Sequence, residues 1–339
     1  MSTTANYPSI IFGSSALGNL YEAISYEEKL ETARQWMQSS ETPVIIDSAG
    51  KYGAGLALEM IGQTLRELKI PAEKVILSNK LGWKRRPLKP GTEPTFEPGV
   101  WKELQYDAEY CISYEGIMEC YHEGNALLGA PYKASMVSIH DPDEHLISAK
   151  DEIERQQRMG HILEAYRALH ELKAKGEVQS IGVGSKNWRI AAEISREVKL
   201  DWVMLACVLT PYCHEPDLLE WLDQAHTQGI KVINSAVFHG GFLMGGSVFD
   251  YKTTDPIRDA QLYEWRDRFF KICAEYKVKP AHVCIQFGLQ WPAVVSTALN
   301  TSRPQRIPSN IAMTKEPLPP EIWSAMKNQG LIQATLPFI

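Results

Sequence analysis

The chain has 339 residues, 44% hydrophobic and 22% charged, whereas a disordered chain would be poorer in apolar residues and more heavily charged. Its 35 basic and 41 acidic side chains leave a formal charge of −6, against the basic excess of a nucleic-acid-binding protein. The longest apolar runs are a few residues, as at Pro43-Val44-Ile45-Ile46, far short of the roughly 20 that span a membrane.

The opening Met1 to Pro8 has neither a basic patch nor a long apolar core, so no signal peptide is expected. Short apolar runs then alternate with longer amphipathic stretches. The first run, Ser9 to Gly13, precedes a helix over Tyr26 to Gln38 with Leu30, Ala33 and Met37 on one face. Val44 to Asp47 is followed by Leu56 to Leu68, which aligns Leu58, Ile61, Leu65 and Leu68. Val75 to Lys80 leads into Leu81 to Gly99, an insertion rich in proline, glycine and basic residues, including Lys84, Arg85, Arg86 and Pro90. Met136 to His140 and Val178 to Val183 flank a helix over His161 to Lys175, ending at Gly176. Trp202 to Cys207 precedes a helix over Glu215 to Gln228. Lys231 to Ser235 precedes a long glycine-bearing connection, Phe238 to Pro256. Helices over Arg258 to Tyr276 and Pro280 to Gln290, then the run Val294 to Leu299, complete the series.

Eight apolar runs, each separated from the next by a longer stretch, predict a (β/α)8 barrel forming a single domain over residues 1–339, with a doubly wound sheet as the alternative. The runs are apolar nearly throughout, as strands buried on both faces should be. Cys111, Cys120, Cys207, Cys213, Cys273 and Cys284 form no C-x-x-C pair, and read as buried thiols in a reducing cytoplasm.

Four polar pieces end these runs. Asp47 closes the second, with Tyr52 five residues on; a helix cap and a turn tyrosine are the plain alternative. Lys80 closes the third, where a buried ammonium needs an acid, water or a ligand. His140-Asp141-Pro142-Asp143-Glu144-His145 closes the fourth; with no H-x-H in the chain, no metal is expected. Gly182-Val183-Gly184-Ser185-Lys186-Asn187 lacks the third glycine of a dinucleotide fingerprint. In a barrel, Asp47, Tyr52, Lys80 and His140 would converge on one mouth.

These residues resemble the aldo-keto reductase family: Asp47-x-x-x-x-Tyr52-Gly53, Lys80 and His140-Asp141 stand where that family carries its catalytic tetrad, and Phe12-Gly13-Ser14-Ser15-Ala16-Leu17-Gly18 is similar to its opening strand and turn. The segments Ile139 to Glu144, Ile181 to Gly184 and Thr301 to Pro304 are similar to the branch that oxidises L-fucose and D-threo-aldoses. The resemblance implies an NAD- or NADP-dependent oxidoreductase acting on a small sugar or carbonyl, without metal, nucleic acid or membrane, and in the cytoplasm. A general aldehyde or ketone reductase and a catalytically idle barrel used as a binding subunit are its alternatives. It implies Gly13, Ser185, Asn187, Ser235, Phe238, Gly240 and Gly241 along the cofactor. Arg306-Ile307-Pro308-Ser309-Asn310 resembles the adenosine clamp, with Ser302 and Arg303 beside it. Trp83, His239 and Phe238 are candidate substrate walls, since aromatic faces pack against the C–H surface of sugars; plain packing is the alternative. In the implied mechanism Tyr52 carries the proton, Lys80 lowers its pKa, Asp47 holds Lys80, and His140 orients the reacting oxygen.

Overall fold

A computed structural model describes residues 7–38, 43–89, 91–250 and 252–336. The first six residues of the N-terminal segment read above, and Pro90 of the insertion, lie outside the described residues.

Eight parallel strands form a closed barrel: β1 (Ile10–Gly13), β2 (Val44–Ala49), β3 (Val75–Leu81), β4 (Ala134–His140), β5 (Ser180–Ser185), β6 (Trp202–Ala206), β7 (Lys231–Ser235) and β8 (Val294–Leu299). Each pairs with its neighbours in sequence, and β1 closes the ring on β8 through Ile10 against Thr297. With helices on its outside, this is a (β/α)8 TIM barrel.

Successive side chains of a strand point to opposite faces. Ile11, Ile45, Met136, Trp202, Met204, Ile233 and Ala298 form a small cluster of their own inside the ring. Their neighbours Ile10, Phe12, Ile46, Val137, Val203 and Val232 join the large outer core beneath the helices. Two residues beyond Ile45 on the inward face comes Asp47, and four beyond Met136 comes His140. Lys80 pairs in register with Ala49 and Ser138, at the same C-terminal level. The alternation that fills the barrel floor therefore delivers polar groups to its mouth.

One helix extends well beyond what periodicity indicates. The helix expected from His161 begins at Glu152, capped by Asp151, whose carboxylate accepts from Glu154 N at 2.8 Å. Its first turns are polar, so no apolar stripe marks them; the Arg158–Glu154 pair at 2.5 Å supports them. Helices at Tyr114–Leu128 and Trp188–Glu197 add to those expected. The insertion after β3 is not bare loop. Trp83–Pro87 pairs antiparallel with Tyr106–Tyr110, and the chain between them crosses the mouth to meet Leu20 through Trp101.

Gly182 of β5 faces the fully buried Trp202 ring; a Cβ there would stand 2.3 Å from it. Gly182→Ala therefore overpacks the barrel floor, and should cost about 1–3 kcal/mol, read as a lower urea midpoint with the slope unchanged.

Candidate active site

The turn after β2 sets Tyr52. Gly53 has φ +62, and a Cβ there would meet Gly18 O at 2.4 Å; a Cβ on Gly18 would meet the Tyr52 carbonyl at 2.8 Å. Only glycine permits this approach, and it clamps the tyrosine turn against the turn after β1. Lys80 Nζ donates to the Asp47 carboxylate and to Ser48 O, 3.3 Å away. Ser78 Oγ donates to the other Asp47 oxygen at 3.0 Å. Lys80 Nζ lies 4.7 Å from the centre of the Tyr52 ring, and the His140 ring meets that ring edge-on at 5.6 Å. All four side chains line one cleft of about 880 Å³.

Burial, then the carboxylates of Asp47, Asp141 and Glu97, push the Tyr52 phenol well above its ordinary value, with Lys186 opposing. The net shift is opposite to the one expected from Lys80 alone, because Asp47 offsets most of the Lys80 charge and burial and the acids outweigh the rest. Burial, then Lys80, Lys51 and Lys186, hold His140 well below the ordinary histidine value. The site thus presents a neutral phenol and a neutral imidazole.

A charged wall stands beside them. Lys51, buried, meets Glu97 at 2.9 Å, Glu144 at 3.3 Å and Asp141 at 3.7 Å. Lys186 meets Glu144 at 2.8 Å and Asp141 at 3.6 Å. Burial draws Lys51 down, but Asp141, Glu97 and Glu144 outweigh it and raise its pKa. Trp101 Nε1 donates to Glu97 at 2.7 Å, and the Trp101 ring lies 5.8 Å from Tyr52. Lys51 and Asp141 sit inside the motifs that mark the tetrad, whereas Glu97 comes from the insertion and Trp101 from just beyond it, and no motif marks either.

Away from the tetrad, the cleft runs past Gly13, Ser185, Ser235 and Phe238 to the turn at Gly240 and Gly241, which have φ of 67 and 94. It continues to Ser302, Arg306 and Asn310, joined by Lys279. A long cleft with two cations and a glycine turn at one end fits the phosphates of an extended dinucleotide.

Four expected residues do not reach this cleft. Asn187 caps the helix Trp188–Glu197, accepting from Arg189 N at 3.0 Å. Arg303 is not among the residues lining the cleft and pairs with Glu22, at its edge, at 3.3 Å. Trp83 packs edge-on against Tyr110 and borders a separate, smaller cavity with His145 and His161. His239 is buried, with one ring nitrogen 2.7 Å from Thr210 Oγ1 and the other 2.7 Å from Asp250, and it stacks on Phe249. Each side chain is engaged by a partner of its own, which residue type alone does not show.

A TIM barrel whose C-terminal mouth holds a tyrosine, an ion-paired lysine and a histidine beside a dinucleotide-sized cleft defines a class of nicotinamide-dependent oxidoreductases. The sequence profile of the Aldo/keto reductase family matches residues 9–329, and the chain belongs to that family of NAD(P)-dependent oxidoreductases. Among curated relatives, a pyridoxal 4-dehydrogenase from Microbacterium luteolum is 27% identical over 335 residues, covering 94% of this chain and 93% of that protein. A D-threo-aldose 1-dehydrogenase from a Pseudomonas species is 26% identical over 343 residues, covering 96% and 94%. The fold is that of a Bacillus halodurans aldo-keto reductase in its holo form (TM-score 0.68, 18% identity, 97% and 93% covered). It is also that of a Klebsiella pneumoniae aldo/keto reductase in complex with NADP and acetate (TM-score 0.63, 15% identity, 98% and 94% covered). Among the described residues, no helix is long and apolar enough to cross a membrane.

The electrostatics carry a sign. Asp47→Asn removes an anion that disfavours tyrosinate and leaves the Lys80 charge unopposed. The rising limb of the pH–rate profile for oxidation should therefore move to lower pH, and Lys80→Met should move it to higher pH. Profiles of kcat/KM for the two variants check this; limbs moving together would rule it out.

Proposed function

We propose that the protein oxidises the cyclic hemiacetal of a neutral, hydroxylated aldehyde or sugar to its lactone, with Tyr52 exchanging the proton. The observation that carries this reading is the convergence of Tyr52, Lys80, Asp47 and His140 on one cleft beside the charged wall. The activities of the two curated relatives, on pyridoxal and on D-threo-aldoses, support it: both kinds of aldehyde carry a hydroxyl able to close on the carbonyl.

Bound NAD or NADP supplies the hydride acceptor. For oxidation Tyr52 first loses its own proton; the tyrosinate then takes the proton from the anomeric hydroxyl as the carbon beneath it is oxidised, so the step is favoured at alkaline pH. Neutral His140 hydrogen-bonds the same oxygen and fixes its direction. Asp47 holds Lys80 beneath the Tyr52 ring. Arg306, Lys279, Ser302 and Asn310 would hold the cofactor's phosphate and adenosine end, and Gly240 and Gly241 would let backbone approach the pyrophosphate.

The wall selects among substrates. Three carboxylates (Glu97, Asp141 and Glu144) face two ammonium groups (Lys51 and Lys186). The balance of one negative charge disfavours anionic substrates, while adjacent acceptors and donors match the neighbouring hydroxyls of a sugar. The neutral Tyr52 phenol supports a second reading, carbonyl reduction, because such a phenol is ready to donate its proton.

Absorbance at 340 nm, with sugars and pyridoxal in the presence of NAD and NADP, and aldehydes with the reduced forms, separates the two. Neutral sugars should be oxidised faster than their uronic acids. Tyr52→Phe should bind cofactor normally yet lose about 10²–10⁴-fold in turnover; near-normal turnover would dismiss Tyr52 as proton carrier. Arg306→Ala should raise the KM of the cofactor, and an unchanged value would place the clamp elsewhere.

A further inference from the structure

At the root of the hairpin that carries Trp83, three elements meet around Gly82. Gly82 follows β3 two residues beyond Lys80. Its carbonyl accepts from Cys111 N at 2.8 Å, just past the returning strand Tyr106–Tyr110. Its own N–H reaches the sulfur of Cys120, in the helix Tyr114–Leu128. The Cys111 and Cys120 sulfurs stand 3.2 Å apart, and all six cysteines are free thiols. The first turn of that helix is seated directly on Cys111, since a Cβ on Gly116 would lie 2.3 Å from Cys111 O. Backbone packing therefore brings the two sulfurs together without a covalent link.

We propose that Cys111 and Cys120 form an oxidisable dithiol, with Cys111 the residue attacked by peroxide and Cys120 the resolving thiol. The division of roles follows from position: Cys111 is partly exposed and Cys120 is buried. The hydrogen bond from Cys120, and then the nearby Lys84 ammonium, draw the Cys111 thiol below its ordinary value against the effect of burial. Burial pushes Cys207, Cys213, Cys273 and Cys284 the other way. Thiolate character and access govern which cysteine reacts.

The steps balance. The Cys111 thiolate attacks one oxygen of hydrogen peroxide; the O–O bond breaks, the sulfur is oxidised to sulfenic acid, and hydroxide leaves to become water with one proton. The Cys120 sulfur then displaces the sulfenic hydroxyl, which departs as a second water with the Cys120 proton. The product is a disulfide within one chain. Closing from 3.2 Å to a sulfur–sulfur bond requires the two atoms to approach by about 1.2 Å.

The test uses the full chain, freed of reductant and treated with graded hydrogen peroxide, then alkylated and digested without reduction. Mass spectrometry should find the Cys111 and Cys120 peptides joined, with two hydrogens lost, and separable by dithiothreitol. Cys111 should be consumed at least tenfold faster than Cys213, the other partly exposed cysteine. In Cys120→Ser the sulfenic acid at Cys111 should persist and be captured by dimedone; in Cys111→Ser, Cys120 should remain a thiol. The proposal is overturned if Cys111 and Cys120 stay unlinked while other cysteines oxidise. It is equally overturned if the link joins two chains, or if Cys111 reacts no faster than Cys213.

Discussion

The ion pair between Lys80 and Asp47 is the constraint on which the mouth of the barrel depends. Both groups are buried, at 2% and 3% exposure, and removing one partner from such a pair strands an uncompensated charge at a cost of about 3–5 kcal/mol. Two apolar residues could fill the same space without that liability. The barrel keeps the pair where its inward face changes from Ile45 and Met136 on the floor to Ser78, Ser138 and His140 at the rim. Ser78 and the Ser48 carbonyl complete its hydrogen bonding, so the charge is fully partnered before any substrate arrives.

The pair determines how Tyr52 behaves. A free ammonium near a phenol would draw it toward ionisation; an ammonium held by a carboxylate does so far less. Burial and three surrounding acids then dominate, and the phenol stays protonated. The same reasoning covers His140, where burial and three lysines keep the imidazole neutral. In the resting site the phenol and the imidazole are thus both neutral, with the charges arranged around them.

That outer layer ties the insertion to the catalytic turn. Lys51 stands directly before the tyrosine and reaches Glu97 on the insertion, so the segment roofing the mouth is fastened to the catalytic turn itself. Glu97 and Asp141 both adopt left-handed backbone, φ 46 and 48, a conformation that costs energy outside glycine and is tolerated where surrounding contacts impose it. Here the ion pairs to Lys51 are among those contacts.

The eight strands and the convergence of Asp47, Tyr52, Lys80 and His140 were legible in the sequence. Strands buried on both faces must be apolar nearly throughout, so a polar residue closing such a run marks itself. Asn187, Arg303, Trp83 and His239 were not legible in the same way. Each has a residue type suited to a cleft, but a helix start, Glu22, Tyr110, and the Thr210–Asp250 pair claim them through contacts distant in sequence. Glu97 and Trp101 show the converse, for they lie on the irregular chain between the two hairpin strands and reach the mouth only because that chain folds back across it. Local alternation determined the barrel and the parity of its inward residues. Only the tertiary structure decided which charges neutralise one another, because an ion pair depends on distances between chain segments that no local pattern encodes.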